Sequence, residues 1–382
     1  ANSLNKIIYA DNAATTPIDE DALNLMIELQ RKFFANPSSA YKLSRPLKKI
    51  LLESREKIAA CINAEPNEII FTSGGTESNN WAIKSSVLEI LSERPNIITS
   101  TIEHKAILNS CAAMKNLGCT ITKLPVDKFG AVNPDDLRKK ILTKTKIISV
   151  MLANNEVGTI QPIKSLAEIS HAAGKIFHTD AVQAVGHIPI DVKILGVDML
   201  SASAHKFNGP KGIGFLYIRD GQKILPYIDG GRQEFNLRAG TENIPAIAAM
   251  ALALEKNCRD MQKTSEKLSA CTKNLIDSLR QNKINFIVNG GENRLPGHLS
   301  LSFRNCDGET LMHRLDLKSI CVATGSACDA GQTKISYVLK AMKIPEDYVR
   351  GTIRITFGKG NSEYDAKIIG NNLSKILQKN ST

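Results

Sequence analysis

The sequence predicts an α/β fold: a large domain built on a mainly parallel sheet, followed by a smaller α+β domain. Three observations predict it. Strand-sized apolar runs recur between residues 69 and 218, helical segments long enough for crossovers separate several of them, and the pattern changes beyond residue 244. The chain of 382 residues also exceeds what one core sustains, because single cores stop growing near ~250–300 residues.

The apolar runs lie at 69–71, 97–98, 121–124, 147–152, 176–177, 198–201 and 213–218, with helical segments expected at 78–91, 105–117, 134–142 and 162–173. Helical crossovers imply parallel pairing, and the closely spaced later runs leave room for an antiparallel strand. Pro162 stands near a helix start and Gly174 at its C-terminal end, before the next strand. Residues 36–39 form a turn-rich loop and 229–241 a Gly-rich one. From Ile244 an Ala-rich helical stretch continues, with interruption, through Leu279. The division is placed within it, giving a large domain at 16–255 and a small one at 256–382, the latter with elements at 284–288, 298–303, 309–315 and 353–357.

Hydrophobic residues make up 42% and charged residues 23%, which excludes a disordered chain. No run approaches the ~18 apolar residues of a membrane helix, and residues 1–9 lack a signal-peptide core, so a soluble, unsecreted, cytoplasmic protein is expected. Eight cysteines without any C-x-x-C pair read as scattered thiols in a reducing compartment, and no metal site is expected. The net charge of +11 comes from dispersed Lys and Arg, which reads as solvated surface instead of a nucleic-acid interface.

Ligands of open parallel sheets sit beyond the carboxyl ends of strands, so the polar clusters that follow the apolar runs carry the functional reading. Residues 72–77 bring Gly74, Gly75 and Thr76 to a helix start that can attract phosphate, although a tight turn with Thr76 as helix cap explains them equally. Residues 153–159 hold Asn154 and Asn155, whose amides suit a planar ligand or an Asx turn. In 178–183, an ionised Asp180 can pair with a protonated ring nitrogen, and Gln183, one helical turn on, can donate to a ring hydroxyl. The cluster 203–212 sets Lys206 beside Ser203, His205 and a Gly-Pro segment, an amine able to form a Schiff base near phosphate donors. Together these are the parts a pyridoxal phosphate site requires.

The phrases DNAAT at 11–15, NPSS at 36–39, TSGGTESNN at 72–80, EH at 103–104, NNEVG at 154–158, TDAVQ at 179–183, HKFNGPKG at 205–212, RAGTEN at 238–243 and GSAC at 325–328 span nearly the whole chain. In their order and separation the sequence resembles the class V, pyridoxal-phosphate-dependent cysteine desulfurases of the NifS and IscS type. The resemblance implies a sheet of the type I aminotransferase kind, with residues 1–15 packing against the small domain. It implies that Lys206 carries pyridoxal 5'-phosphate, that Asp180 pairs with the ring nitrogen, that Gln183 contacts the ring hydroxyl and that His104 stacks on the ring. Gly75, Thr76, Ser203 and His205 then hold the phosphate, and Thr241 of the partner subunit completes that cradle in a homodimer. Asn155 approaches cofactor and substrate, Arg354 clamps the substrate carboxylate, and Asn36 borders the same pocket. A planar guanidinium suits a carboxylate; an interdomain ion pair is the competing account of Arg354.

Cys328 lies in a small, polar stretch ahead of a helix starting near Ser336. The resemblance makes it the nucleophile on a mobile loop that takes sulfur from L-cysteine, leaves L-alanine and passes its persulfide to an acceptor such as an iron–sulfur scaffold or a thiolation protein; desulfurases of this type also serve transfer-RNA thiolation and sulfur modification of DNA. His104 is a candidate proton-transfer group. Tyr41 and Ser44 depart from the usual His and Gly, and Asp329 stands where Thr or Ser is usual, a charge that disfavours a neighbouring thiolate unless Lys334 offsets it. A selenocysteine lyase or class V aminotransferase on the same scaffold is the alternative, and a noncatalytic RNA-binding scaffold a more distant one.

Overall fold

The computed structural model describes residues 6–325 and 335–379. Its strands are β1 (Ile8–Tyr9), β2 (Ile69–Thr72), β3 (Asn96–Ser100), β4 (Thr120–Leu124), β5 (Thr145–Ser149), β6 (Ile176–Asp180), β7 (Met199–Ser203), β8 (Gly214–Ile218), β9 (Phe286–Asn289), β10 (His298–Phe303), β11 (Ile320–Cys321) and β12 (Thr352–Thr356). Its helices are α1 (Glu20–Lys32), α2 (Arg45–Cys61), α3 (Gly75–Val87), α4 (Lys105–Asn116), α5 (Pro134–Lys140), α6 (Ile163–Ala172), α7 (Val192–Leu195), α8 (Gln233–Asn236), α9 (Ile244–Arg259), α10 (Met261–Gln281), α11 (Gly308–Asp316), α12 (Tyr337–Ala341), α13 (Glu346–Val349) and α14 (Glu363–Lys379).

A seven-stranded sheet in the order β2-β8-β7-β6-β5-β3-β4 organises the large α/β domain. Its pairs are parallel except that β8 runs antiparallel to both β7 and β2. The reversed strand falls where the runs are closest, since the connection 204–213 is too short for a parallel crossover. Because β2 runs parallel to β7, the carboxyl ends of β2, β3, β5, β6 and β7 share one edge, and the polar clusters emerge there.

Both faces of the sheet are covered, so successive strand residues serve two cores. Ile69, Phe71, Ile98, Ile148 and Leu200 face the cluster that includes Ile58, Phe177 and Leu254. Their neighbours Ile70, Ile97, Ile147 and Met199 face the opposite cluster with Trp81 and Ile107. The smaller α+β domain packs a three-stranded antiparallel sheet, β12-β10-β9, through Leu301, Ile353 and Ile355 against Leu275, Ile369 and Leu373 of α10 and α14. Ile8 and Ala10 join this second core, and β1 pairs in parallel with β11.

Some helix bounds differ from the sequence reading. α3 starts at Gly75 and gives way after Val87 to a 3-10 turn broken at Ile90, and α5 ends at Lys140 because Ile141 is extended. The interruption expected after Ile244 lies at Asp260, between α9 and α10. Among the described residues, no helix is long and apolar enough to cross a membrane, and no group of three or more His, Cys, Asp or Glu could hold a metal ion.

Candidate active site

The loop after β2 enters α3 through Gly74, which is the N-cap at φ 151°, a conformation side chains rarely adopt. Thr76 therefore is not the cap, contrary to the local alternative; it lies exposed in the first turn. A Cβ on Gly75 would stand 2.6 Å from Val182 Cγ2, so glycine lets the helix start approach the segment after β6. Ser203, buried at the end of β7, has its Oγ 3.5 Å from the position of a Cβ on Gly74. The first-turn amides of a helix have no intrahelical partner, and here they open beside a serine, a setting that suits phosphate.

Asp180 ends β6 and is 4% exposed. Its Oδ2 accepts from Asn79 Nδ2 at 2.9 Å and its Oδ1 from the Val182 amide at 3.0 Å. Asn79, on the inward face of α3 one turn after the phosphate loop, went unrecognised in the sequence although it stands inside TSGGTESNN. Glu103 is fully buried, accepts from the Met151 amide at 2.7 Å, and its carboxyl is pushed well above the usual range, first by burial and then by Asp180. Gln183 follows Asp180 in a run of turns, not in a helix, and donates from Nε2 to Ala13 O at 3.0 Å.

Lys206 closes a short 3-10 turn after β7, and its Nζ donates to Ala14 O at 2.8 Å and also to Ala13 O. The DNAAT segment thus meets the lysine and the glutamine through the same carbonyl. His205 Nδ1 shares a 3.0 Å hydrogen bond with Thr15 Oγ1, and burial, followed by Lys206 and Lys211, lowers its pKa to about 4. His205 is therefore a neutral partner at neutral pH. Tyr9 donates to Thr15 O at 2.7 Å, fixing the segment from its other side.

Arg354, on β12, is 8% exposed. It donates from Nη2 to Asp11 Oδ1 at 2.9 Å and from Nη1 to Asn155 O at 3.0 Å, while Nε is buried without a partner among the described residues. The fork thus joins the N-terminal segment to the loop after β5. Asn154 takes the Asx-turn role, accepting from the amides of Glu156 and Val157, and the neighbouring Asn155 has a buried Oδ1 without a partner among the described residues. Glu156 is 5% exposed, accepts from the Ser336 hydroxyl, and burial is the main cause that raises its pKa to about 7.

His104 is the exposed N-cap of α4, and its Nδ1 accepts from the Ala106 amide at 3.1 Å. The other expected residues stand apart. Asn36 is exposed and accepts from the Ser38 amide and hydroxyl in a local turn, and Thr241 is exposed on the loop after α8. Tyr41 is exposed, whereas Ser44 is buried and its hydroxyl donates to Tyr41 O at 2.7 Å, holding the loop that follows NPSS. Cys328, Asp329 and Lys334 lie outside the described residues.

The donor set fits pyridoxal phosphate. An amine, a buried carboxylate, a neutral imidazole and a helix N-terminus open on one sheet edge, and Asn79 Oδ1, Asn155 Oδ1 and Arg354 Nε are buried polar atoms without partners among the described residues. Comparison with known proteins agrees. Residues 8–369 match the class-V aminotransferase family. The chain is 45% identical over 373 residues to cysteine desulfurase IscS of Dictyoglomus turgidum, covering 97% of this chain and 95% of that one. A solved NifS-like protein superposes with a TM-score of 0.92 at 36% identity, covering 98% of this chain and all of that one. A structure described as SspA in complex with cysteine gives 0.82 at 34% identity, over 92% of this chain and 98% of the other. With the sheet, the lysine and the phosphate loop in place, the chain belongs to the class-V aminotransferase family, among the cysteine desulfurases of the IscS and NifS type.

Proposed function

We propose that this chain is a pyridoxal-phosphate-dependent cysteine desulfurase that converts L-cysteine to L-alanine and hands sulfane sulfur, through a Cys328 persulfide, to an acceptor protein. The observation that carries the reading is the convergence of Lys206 and Gln183 on the carbonyls of the N-terminal segment, beside buried Asp180 and the glycine loop of α3. When bound, the cofactor supplies an electron sink that activates the substrate α-carbon.

The chain's residues supply the rest. Lys206 holds the cofactor and then, as a free amine, takes and returns the α-proton. Asp180 offers its charge to the ring nitrogen, and burial together with Asp180 pushes the neighbouring Glu103 carboxyl well above the usual range. Gln183 serves the ring hydroxyl; Gly75, Thr76, Ser203 and neutral His205 serve the phosphate, completed by Thr241 of the partner subunit in a homodimer. Arg354 binds the substrate carboxylate, with Asn155 and Asn36 bordering the same pocket. His104 has committed Nδ1 to its own helix, so Nε2 is the atom left to exchange a proton if the cofactor is bound beneath it as the family resemblance implies. The Cys328 thiolate attacks the substrate sulfur, its new S–S bond replacing the broken carbon–sulfur bond, and protonation of the remaining carbon skeleton gives alanine.

In this reading residues 16–255 bind the cofactor, 256–382 form the small unit with the Cys328 segment, and 1–15 pack against it. A cytoplasmic setting fits, because the thiol must stay reduced between turnovers. One sample tests the proposal: visible absorbance of the purified protein, then cysteine addition, alanine measurement and persulfide mapping. Expected are stoichiometric alanine and sulfur on Cys328, both lost in Cys328→Ala with the absorbance retained. A keto acid with an aminated cofactor, or alanine without any adduct on Cys328 under non-reducing conditions, overturns it.

A further inference from the structure

Three consecutive residues, Glu234, Phe235 and Asn236, lie in the left-handed region at φ 47°, 58° and 62°, and none is glycine. L side chains rarely adopt this conformation even singly, and for a bulky aromatic it is an outlier that persists only where surroundings over-determine it. The surroundings here are specific. Arg55 of α2 meets Glu234 at 2.7 Å, with both side chains under 10% exposed, and its guanidinium stacks on the rings of Phe71 at 4.6 Å and Phe235 at 4.9 Å.

The same pair covers the open edge of the seven-stranded sheet. β2 is an edge strand, and Arg55 donates to Ile69 O at 2.6 Å while Glu234 accepts from the Phe71 amide at 3.3 Å. Two side chains thus stand where a further strand would pair. Ahead lies the phosphate loop, and behind the left-handed turn lies the segment 238–243 with exposed Thr241. Arg238 then ties that segment to α3, donating to Glu77 from Nε at 3.1 Å and Nη2 at 2.8 Å.

We propose that Arg55 and Glu234 form a positioning clamp that registers residues 238–243 against the chain's own phosphate loop and presents them as an arm to the cofactor site of a second copy. This rests on the shared phosphate site of the preceding section. Neither residue touches the cofactor; each acts through the turn that aims the arm.

The test uses the holoenzyme. Arg55→Leu combined with Glu234→Met replaces a buried pair by apolar side chains, a change that need not lower stability but removes both edge contacts. In a heterodimer, one chain carries this pair of changes plus Lys206→Ala, and the other is wild type. Only the wild-type site then gives the visible absorbance, and it receives the altered arm. The cofactor dissociation constant of that site is expected to rise at least tenfold over the heterodimer carrying Lys206→Ala alone, with the unfolding midpoint of the clamp variant close to wild type. Phe235→Gly with Asn236→Gly in the clamp variant is expected to recover part of the affinity, because glycine tolerates the turn without the clamp. An unchanged dissociation constant overturns the inference. If Thr241→Ala weakens cofactor binding while the clamp variant does not, only the clamp fails. A monomeric holoenzyme in light scattering overturns both readings.

Discussion

Glu156→Gln should make the protein more stable at alkaline pH and leave it little changed at acid pH. Glu156 lies between Asn155 and the start of α12, almost fully buried, with its Oε2 accepting from the Ser336 hydroxyl. A Cβ on Gly325 would stand 2.8 Å from the same oxygen, so the carboxyl lies close against Gly325 while it holds Ser336. Burial raises its pKa from the ordinary 4.5 to about 7, against the lowering effects of Ser336, Arg354 and Lys105. The sign follows from linkage: the folded chain keeps a proton that the unfolded chain releases above about 4.5, so this stabilisation is complete below 4.5 and is lost as pH rises through 7. At ~1.36 kcal/mol per pH unit the whole loss is about 3 kcal/mol, most of it between pH 5 and 8. Gln is neutral throughout and its carbonyl oxygen still accepts from Ser336. For a chain of this length, unfolding entropy near ~2.1 cal/mol/K per residue converts that loss to about 4 °C. Thermal midpoints of wild type and Glu156→Gln holoenzyme, measured from pH 5 to 8, should therefore diverge as pH rises, with the variant higher. Parallel curves, or a variant that melts lower at pH 8, would refute the reasoning.

Other substitutions test the site directly. Gly75→Ala sets a methyl 2.6 Å from a branched, stiff Val182, and should cost ~1–3 kcal/mol in unfolding measurements while loosening cofactor retention in dialysis. Arg354→Lys loses the planar fork that reaches both Asp11 and Asn155, and should raise KM for cysteine about tenfold or more with a smaller change in kcat; a pure kcat effect would contradict a carboxylate clamp. Asn79→Ala removes the Asn79 hydrogen bond to Asp180 and leaves that of the Val182 amide, a loss of ~1.5–3 kcal/mol for a charged acceptor, and should weaken cofactor binding by tenfold or more in spectral titration.

The division between sequence and structure can be followed residue by residue. Asp180, Lys206 and Gly75 were legible as candidates because each lies at or a few residues beyond the end of an apolar strand core, and the chain there reads as strand then polar turn. Glu103 and Asn79 were hidden in motifs whose neighbours, His104 and Thr76, drew the functional reading; the Asn79 hydrogen bond to Asp180 and the nearness of Glu103 to it are visible only in the folded chain. Asp11 and Ala13 gave no signal as partners of Arg354 and Lys206, since those contacts join residues more than 190 positions apart. β1 and β11, two residues each, are too short for any periodicity to reveal.

Local patterning determined the α/β alternation, the strand runs and the order of the polar clusters, because alternation and helix period are properties of neighbouring residues. Which ends of the strands share an edge, how β8 reverses between β7 and β2, and which buried carboxyls have raised pKa values were decided only by tertiary structure. Those outcomes depend on desolvation and on contacts between distant segments, and no stretch of sequence contains them.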